Sequence, residues 1–346
     1  MNPLSVVVFG AMLALARGSV RSKLEIPLYD WNPTQPIKIW ISQDMPDIHQ
    51  RMIVKALDFY SEVTCFKFNT ASISTYSPYK KFVYVDSYYA SKSRGVPDQI
   101  LNFEYNSFLG FAGSKNRSSP ILIALDPLKQ YTMGNHAWPS IPVDLLLINR
   151  HFLCFDKCNQ SSTRCENGGF LNPNDCTRCV CPFGFAGRFC GERAEGSFQG
   201  RPCGETLQAS DLWKSLSYKI WTRELKPKAN DYDSHSCHWH IKAAPELKVR
   251  VMFKQVGPCH EDKLSCHQGG TELKTGNFHI EGYKYCCQPQ INAIRTHEFV
   301  SDGNIALINL DIQNGISGFE IVYKQSVGIL KNLREQKLRK FGLVYK

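Results

Sequence analysis

The first 64 residues of this 346-residue chain contain no cysteine, and beyond residue 16 no apolar run approaches the length needed to cross a bilayer. Acidic residues are the scarcer charge, 31 Asp and Glu against 41 Lys and Arg, for a net of +10. The missing apolar runs argue against a transmembrane helix. The 43% hydrophobic content excludes a globally disordered chain. What is present points outward from the cytosol. Fourteen cysteines are packed most densely between Cys154 and Cys190, the usage expected of an extracellular chain held together by disulfides. The length suggests two or three domains.

The N-terminus agrees with export. Leu4–Ala16 is uncharged and apolar, closes on Ala14-Leu15-Ala16 and is followed by Arg17, the pattern of a signal peptide over residues 1–16, although no Lys or Arg precedes the apolar core. Asn116 and Asn159 open Asn-x-Ser/Thr triplets, acceptor sites for N-linked glycan in a secreted glycoprotein. Export also disfavours a nucleic-acid partner despite the basic balance.

Cys158, Cys165, Cys176, Cys179, Cys181 and Cys190 form a compact block, threaded by Asn167-Gly168-Gly169 and Pro182-Phe183-Gly184-Phe185-Ala186-Gly187. Those glycines permit positive-φ turns. So small a module cannot build an adequate core and must be stapled. Six cysteines allow 15 pairings, and spacing does not choose among them. The block resembles an EGF-like domain, expected over 155–191. That resemblance implies Cys158–Cys176, Cys165–Cys179 and Cys181–Cys190. A zinc knuckle is the alternative, disfavoured in an exported chain.

After a Gly/Arg-rich joint, alternating apolar runs appear at His238–Ile241, Leu247–Phe253, Ala306–Ile312 and Gly318–Tyr323. Period-2 runs broken by Gly and Asp predict an antiparallel sandwich. Cys203-Gly204, then Cys237-His238-Trp239-His240-Ile241, then Gly282-Tyr283-Lys284-Tyr285-Cys286-Cys287 resemble a divergent CUB domain, expected over 203–324. That implies a Cys203–Cys237 bond, with Cys259 and Cys266 paired to Cys286 and Cys287 in an order left open. No acidic calcium site of the kind some CUB domains carry is visible.

In the region 23–154, Ile37–Ile41 predicts a strand. Asp47–Val63 places Ile48, Met52, Val54, Ala56, Leu57 and Tyr60 near helical spacing behind a capping Asp47. Cys65–Phe68 predicts a second short strand. Strand, helix and Thr64-Cys65-Phe66-Lys67-Phe68 resemble the opening of an astacin-family (metzincin) metalloprotease domain. Leu125–Gly134, Pro139-Ser140, Asp144–Asn149 and Cys154 resemble the segment that closes it, nematode astacins above all. The succession of EGF-like and CUB-like modules is common among the same proteins. The resemblance implies a Cys65–Cys154 disulfide, an α+β peptidase region and a zinc endopeptidase activity.

The residues for that activity are missing. The family holds zinc with His-Glu-x-x-His-x-x-Gly-x-x-His: two His one helical turn apart share a face, a third closes the site, and the Glu polarises the bound water. None of the ten histidines belongs to a His-Glu-x-x-His. His49, the sole one before the expected Met-turn, belongs to the N-terminal helix. In the segment Phe103–Phe111, Leu109 stands where the family has its Met, Gly110 where it has His, and Phe111 where it has the tyrosine. The stretch 66–102 is too short for the family's remaining strands, active-site helix and loop. Zinc is therefore the family's cofactor but is not expected in this chain, and the region is expected to be truncated and inactive.

Other candidates are weaker. His235, Cys237, His238 and His240 suggest a metal, but on a strand Cys237 points away from His238 and His240 and is expected to be oxidised. Glu261-Asp262 reads as solvated loop charge, and Asp86, Asp98 and Glu104 have no fixed geometry. The tail 325–346 interleaves Lys331, Arg334, Lys337, Arg339, Lys340 and Lys346 with Leu330, Leu333, Leu338, Phe341 and Leu343, a basic amphipathic pattern suited to anionic matrix polysaccharide or a membrane surface. The expected function is binding of extracellular protein or glycan through the EGF-like and CUB-like modules. The rival is an active astacin-type zinc metalloendopeptidase whose active-site segment is missing from this sequence; against it, a skipped exon would not rewrite Leu109, Gly110 and Phe111.

Overall fold

The computed structural model describes residues 35–41, 47–71, 83–86, 99–102, 126–132, 141–198, 200–221, 235–257, 266, 269–280, 282–312 and 316–327. The chain is mostly β structure, cross-linked by disulfides, and divides into two units. The first holds Met1–Ala124, Met133–Glu192 and Lys226–Asp233; the second holds Leu125–Thr132, Arg193–Leu225 and Ser234–Lys346.

In the first unit β1 (Ile37–Ile41), α1 (Asp47–Val63), β2 (Phe68–Ala71), β3 (Val83–Asp86) and β4 (Gln99–Asn102) build a parallel sheet in the order β2-β1-β3-β4. Ile37 stands opposite Phe68 and Ile39 opposite Val83. A parallel pair needs a crossover, which α1 supplies between β1 and β2. Its Asp47 complements the helix dipole, and Ile53, Ala56, Leu57 and Tyr60 form its buried stripe. The strand expected at Cys65–Phe68 begins instead at Phe68. Cys65 is drawn into the Cys65–Cys154 disulfide, and buried Phe66 sits edge-on to Phe152 with centroids 4.7 Å apart, so both side chains turn inward rather than alternating.

Helix α2 (Ile141–His151) adds Leu145 and Ile148 to a cluster with Tyr60, Val63, Phe66 and Phe170. Asn149 Nδ2 donates to Val63 O at 2.9 Å. A 3-10 turn at Cys154–Cys158 leads into the hairpin β5 (Phe170–Asn172) and β6 (Asp175–Val180), then β7 (Phe185–Ala186) and β8 (Glu192–Arg193). Three disulfides staple this stretch: Cys158–Cys176, Cys165–Cys179 and Cys181–Cys190.

The hairpin turn also finishes α1. The last carbonyls of a helix lack partners within it, and Asn174 Nδ2 lies 3.0 Å from Ser61 O, 3.0 Å from Glu62 O and 2.8 Å from Thr64 O. Asn172 Oδ1 accepts from Asn174 N at 2.9 Å, an Asx-type turn that aims the side chain. Lys67 Nζ adds a bond to Ser61 O at 2.8 Å. Replacing Asn174 by Ala strips this end of α1 of one of its two side-chain amide donors, the other being Asn149. The expected cost is about 1–2 kcal/mol, read as a lower urea midpoint and faster hydrogen exchange in the last turn of α1, while an Asn174→Asp variant, which keeps size but sets a carboxylate against the same carbonyls, should cost at least as much.

The second unit is a sandwich. Strands β9 (Gly196–Phe198), β10 (Arg201–Cys203), β11 (Thr206–Gln208), β12 (Lys214–Trp221), β13 (His235–Lys242), β14 (Lys248–Val256), β15 (Gly269–Lys274) and β16 (Tyr283–Tyr285) precede a short helix α3 (Gln288–Asn292). β17 (Phe299–Val300), β18 (Ile305–Ile312) and β19 (Ile316–Ser326) complete it. One sheet runs β10-β9-β13-β18-β15-β16 with β11 alongside β13; the other runs β12-β19-β14-β17. Trp239, Ile241, Ile308 and Leu310 of the first meet Val251, Phe253, Phe319 and Ile321 of the second in one buried core. The Trp239 ring lies edge-on to Phe319 at 5.1 Å and to Tyr218 at 4.9 Å. Cys203–Cys237 and Cys266–Cys286 are disulfides, and Cys287 is oxidised as well; Cys259 lies outside the described residues. Gly204, at φ +86°, passes so close to His238 that a Cβ there would meet the His238 carbonyl.

The 3-10 turn Pro127–Thr132 belongs to this unit and lies along β16. Tyr285 Oη donates to Leu128 O at 2.8 Å, and Thr132 Oγ1 donates to Gly282 O at 3.2 Å while accepting from Lys284 N at 3.1 Å.

Candidate functional site

The positions that decide the peptidase question, Leu109, Gly110 and Phe111, lie outside the described residues, as do residues 1–16, Asn116, Glu261, Asp262 and the tail from 328 onward. Asn159 is exposed in the turn after Cys158, helical at φ −56° and ψ −26°. His49 and Asp86 fall on α1 and β3. His151 and His297 are exposed against the rings of Phe152 and Phe299.

The described polar chemistry concentrates on the outer face of the larger sheet of the second unit. β13 alternates: Cys237, Trp239 and Ile241 enter the core, so His238 and His240 take the other face. Both histidines are nevertheless buried. The register sets His238 opposite Asn309, Asn309 opposite Glu272 and Glu272 opposite Lys284, one row across four strands. His238 Nδ1 is 2.9 Å from Asn309 Oδ1 and its Nε2 is 3.3 Å from Ser236 Oγ. Asn309 Nδ2 donates to Glu272 Oε2 at 3.0 Å, which orients the amide and makes His238 Nδ1 the protonated nitrogen. Glu272 Oε1 accepts from Gly282 N at 2.7 Å and lies 3.7 Å from Lys274 Nζ. Lys284 Nζ pairs with Asp311 Oδ2 at 3.1 Å, both side chains almost wholly buried.

Burial holds His238 neutral, with its pKa pushed down to about 4, outweighing the Asn309 hydrogen bond. Burial pushes the Glu272 carboxyl upward, but the Lys274 and Lys284 ammonium groups and the bonds from Asn309 and Gly282 together hold it below its ordinary value. Ser236, His238 and Asn309 have the contacts of a nucleophile, base and orienting group. A base that protonates only near pH 4 takes a hydroxyl proton poorly at neutral pH, so the row acts as a polar lock across the sheet.

The donor set does not fit zinc. His238 has both ring nitrogens engaged, Cys237 is in a disulfide facing the other way, and among the described residues no three His, Cys, Asp or Glu side chains converge to hold a metal. His238 stood out in the sequence, but its partners Asn309, Glu272 and Ser236 did not. Their only signal was polar residues alternating with apolar ones, as in Ile308-Asn309-Leu310-Asp311, which reads as an ordinary solvated face.

No family model matches the chain. It is 29% identical over 236 residues to "Zinc metalloproteinase nas-27" of Caenorhabditis elegans, covering 65% of this chain and 54% of that protein. It is 33% identical over 190 residues to "Zinc metalloproteinase nas-29" of the same species, covering 54% and 32%. With "Zinc metalloproteinase nas-36" of Brugia malayi it shares 31% identity over 188 residues, covering 52% and 29%. Its relatives are thus nematode zinc metalloproteinases, and the chain spans about half or less of their length. Among solved structures, the full extracellular region of zebrafish Gpr126/Adgrg6 gives a TM-score of 0.25 at 25% identity, covering 38% of this chain and 15% of that one. The CUB1-EGF-CUB2 domains of rat MASP-1 give 0.25 at 15%, covering 37% and 45%.

Proposed function

We propose that this chain is a secreted, astacin-like protein without peptidase activity, which works by binding extracellular protein or glycan through an EGF-like module at 155–191 and a CUB-like module at 203–324. One observation carries the reading: no His-Glu-x-x-His occurs anywhere in the sequence, and zinc held by protein needs such donors. The substitutions at Leu109, Gly110 and Phe111 remove the supporting positions too. The Cys65–Cys154 disulfide and the three bonds after it support an oxidising compartment. The purified full chain is expected to contain no stoichiometric zinc and to leave casein intact with or without chelator. One bound zinc with chelator-sensitive cleavage would overturn the reading.

A second reading has one observation in its favour. The relatives are named zinc metalloproteinases and extend well beyond the matched stretch, so an active peptidase of the astacin type, whose active-site segment is absent from this sequence, fits the same flanks. Sequencing the transcript between the codons for Cys65 and Phe111 separates the two. An inserted segment encoding His-Glu-x-x-His-x-x-Gly-x-x-His establishes the second reading, and a message colinear with this chain removes it.

A further inference from the structure

The two outer faces of the sandwich treat charge in opposite ways. On the larger sheet Lys274 and Lys284 are buried beside Glu272 and Asp311. On the smaller sheet the cations face outward, mostly without carboxylates. Val249, Val251 and Phe253 of β14 point into the core, which puts Lys248, Arg250 and Lys254 on the outside. Lys324 of β19 stands opposite Arg250. Arg295 and Lys254 are drawn together, the Arg295 guanidinium donating to Lys254 O and Lys254 Nζ to Arg295 O. Among the described residues Arg250 pairs with Glu298, but Lys248, Lys254, Arg295 and Lys324 make no ion pair. Glu320, between core-facing Phe319 and Ile321 of β19, adds an acid to the face besides Glu298. At the same edge Trp213 is 39% exposed, with Lys324 Nζ 4.6 Å from its ring centre.

We infer that this face is a docking surface for a sulfated polysaccharide. A fixed anion on each sugar repeat suits a ladder of cations on a rigid sheet, and Lys248 and Lys254, six positions apart, span about 20 Å, a length of several sugar rings. Cations left unpaired on one face raise the local potential and attract a polyanion, while an exposed indole gives a sugar ring an apolar platform. The inference deepens the proposed binding function and rests on that reading.

The test uses full-length chain and immobilised heparin, with three variants: K248Q/K254Q/K324Q on the sheet, E320Q on the same face, and a tail variant with Lys331, Arg334, Lys337, Arg339 and Lys340 changed to Gln. The sheet variant is expected to weaken heparin binding roughly tenfold or more, since three half-buried, outward-facing charges are lost. E320Q should strengthen it, and all binding should weaken with salt. Thermal midpoints equal to the parent's show that the variants fold. Hyaluronan, which has carboxylates and no sulfates, should bind more weakly. Heparin affinity that survives the sheet variant and vanishes with the tail variant overturns the inference, as does stronger binding to phosphatidylserine vesicles than to heparin. Zinc content and casein cleavage on the same samples keep this outcome separate: an active peptidase sinks the proposed function, whereas an inert chain that ignores heparin sinks only this surface.

Discussion

Between pH 6.5 and pH 4 the second unit should lose about 3 kcal/mol of stability, and most of that loss should trace to His238. The His238 pKa falls from an ordinary 6.5 to about 4 because burial disfavours the charged ring. In this window the unfolded chain binds a proton that the folded chain refuses, so stability is full above about pH 6.5 and drains away as pH falls toward 4. At 1.36 kcal/mol per pH unit the interval amounts to about 3 kcal/mol. The groups facing His238 are Asn309, Ser236, Arg193, His240 and Glu272. Glu272, held below its ordinary 4.5, contributes stability that is present above that value and lost below it, so above pH 4.5 the slope belongs to His238 and the two contributions overlap only below it. Urea midpoints followed by near-UV circular dichroism at half-unit pH steps measure the slope. His238→Gln should lower the plateau at pH 7 yet flatten the profile between pH 6.5 and 4.5. An equally steep profile in that variant would assign the acid sensitivity elsewhere.

Asp311→Ala is expected to cost about 3–5 kcal/mol at pH 7, because it leaves the Lys284 ammonium buried without its carboxylate. Both side chains are nearly inaccessible, so water cannot readily replace the lost partner. The pair itself need contribute little. Desolvating two ions offsets most of their attraction, and a well-packed apolar pair of similar volume is often as stable. Accordingly Lys284→Met in the Asp311→Leu background should recover much of the loss. A double-mutant cycle on urea midpoints gives the coupling. A coupling below about 1 kcal/mol would mean that the pair is solvated in solution.

Much of the fold follows from local pattern. The helical spacing behind Asp47 appears as α1 over Asp47–Val63, and the run Ile37–Ile41 is β1. The alternating runs of the second unit appear as β13, β14, β18 and β19, each somewhat longer than its apolar core. Ladder hydrogen bonds extend strands into polar flanks that hydrophobic periodicity does not register. Strands β9 to β11 left little trace, being three residues long, whereas β12 alternates Leu216, Tyr218 and Ile220 with Ser215, Ser217 and Lys219, a legible period-2 pattern that was missed. The 3-10 turn Pro127–Thr132 shows why chain order is a poor guide to grouping. It precedes α2 in sequence, yet its Leu128 carbonyl and Thr132 hydroxyl satisfy groups on and beside β16.

Some features are fixed by residue identity alone: the absence of a His-Glu-x-x-His, the fourteen cysteines and the basic balance. A missing ligand needs no coordinates to be missing, and helix and strand periods are written in neighbouring residues. Tertiary structure decided what depends on who is across from whom. It put Asn174 under the last carbonyls of α1, paired Cys266 with Cys286, and buried the polar row on one sheet while leaving Lys248, Lys254 and Lys324 of the other without an ion pair among the described residues. Those outcomes arise because burial belongs to the assembled surface, and a strand's own alternation cannot tell whether its polar side meets water or another part of the chain.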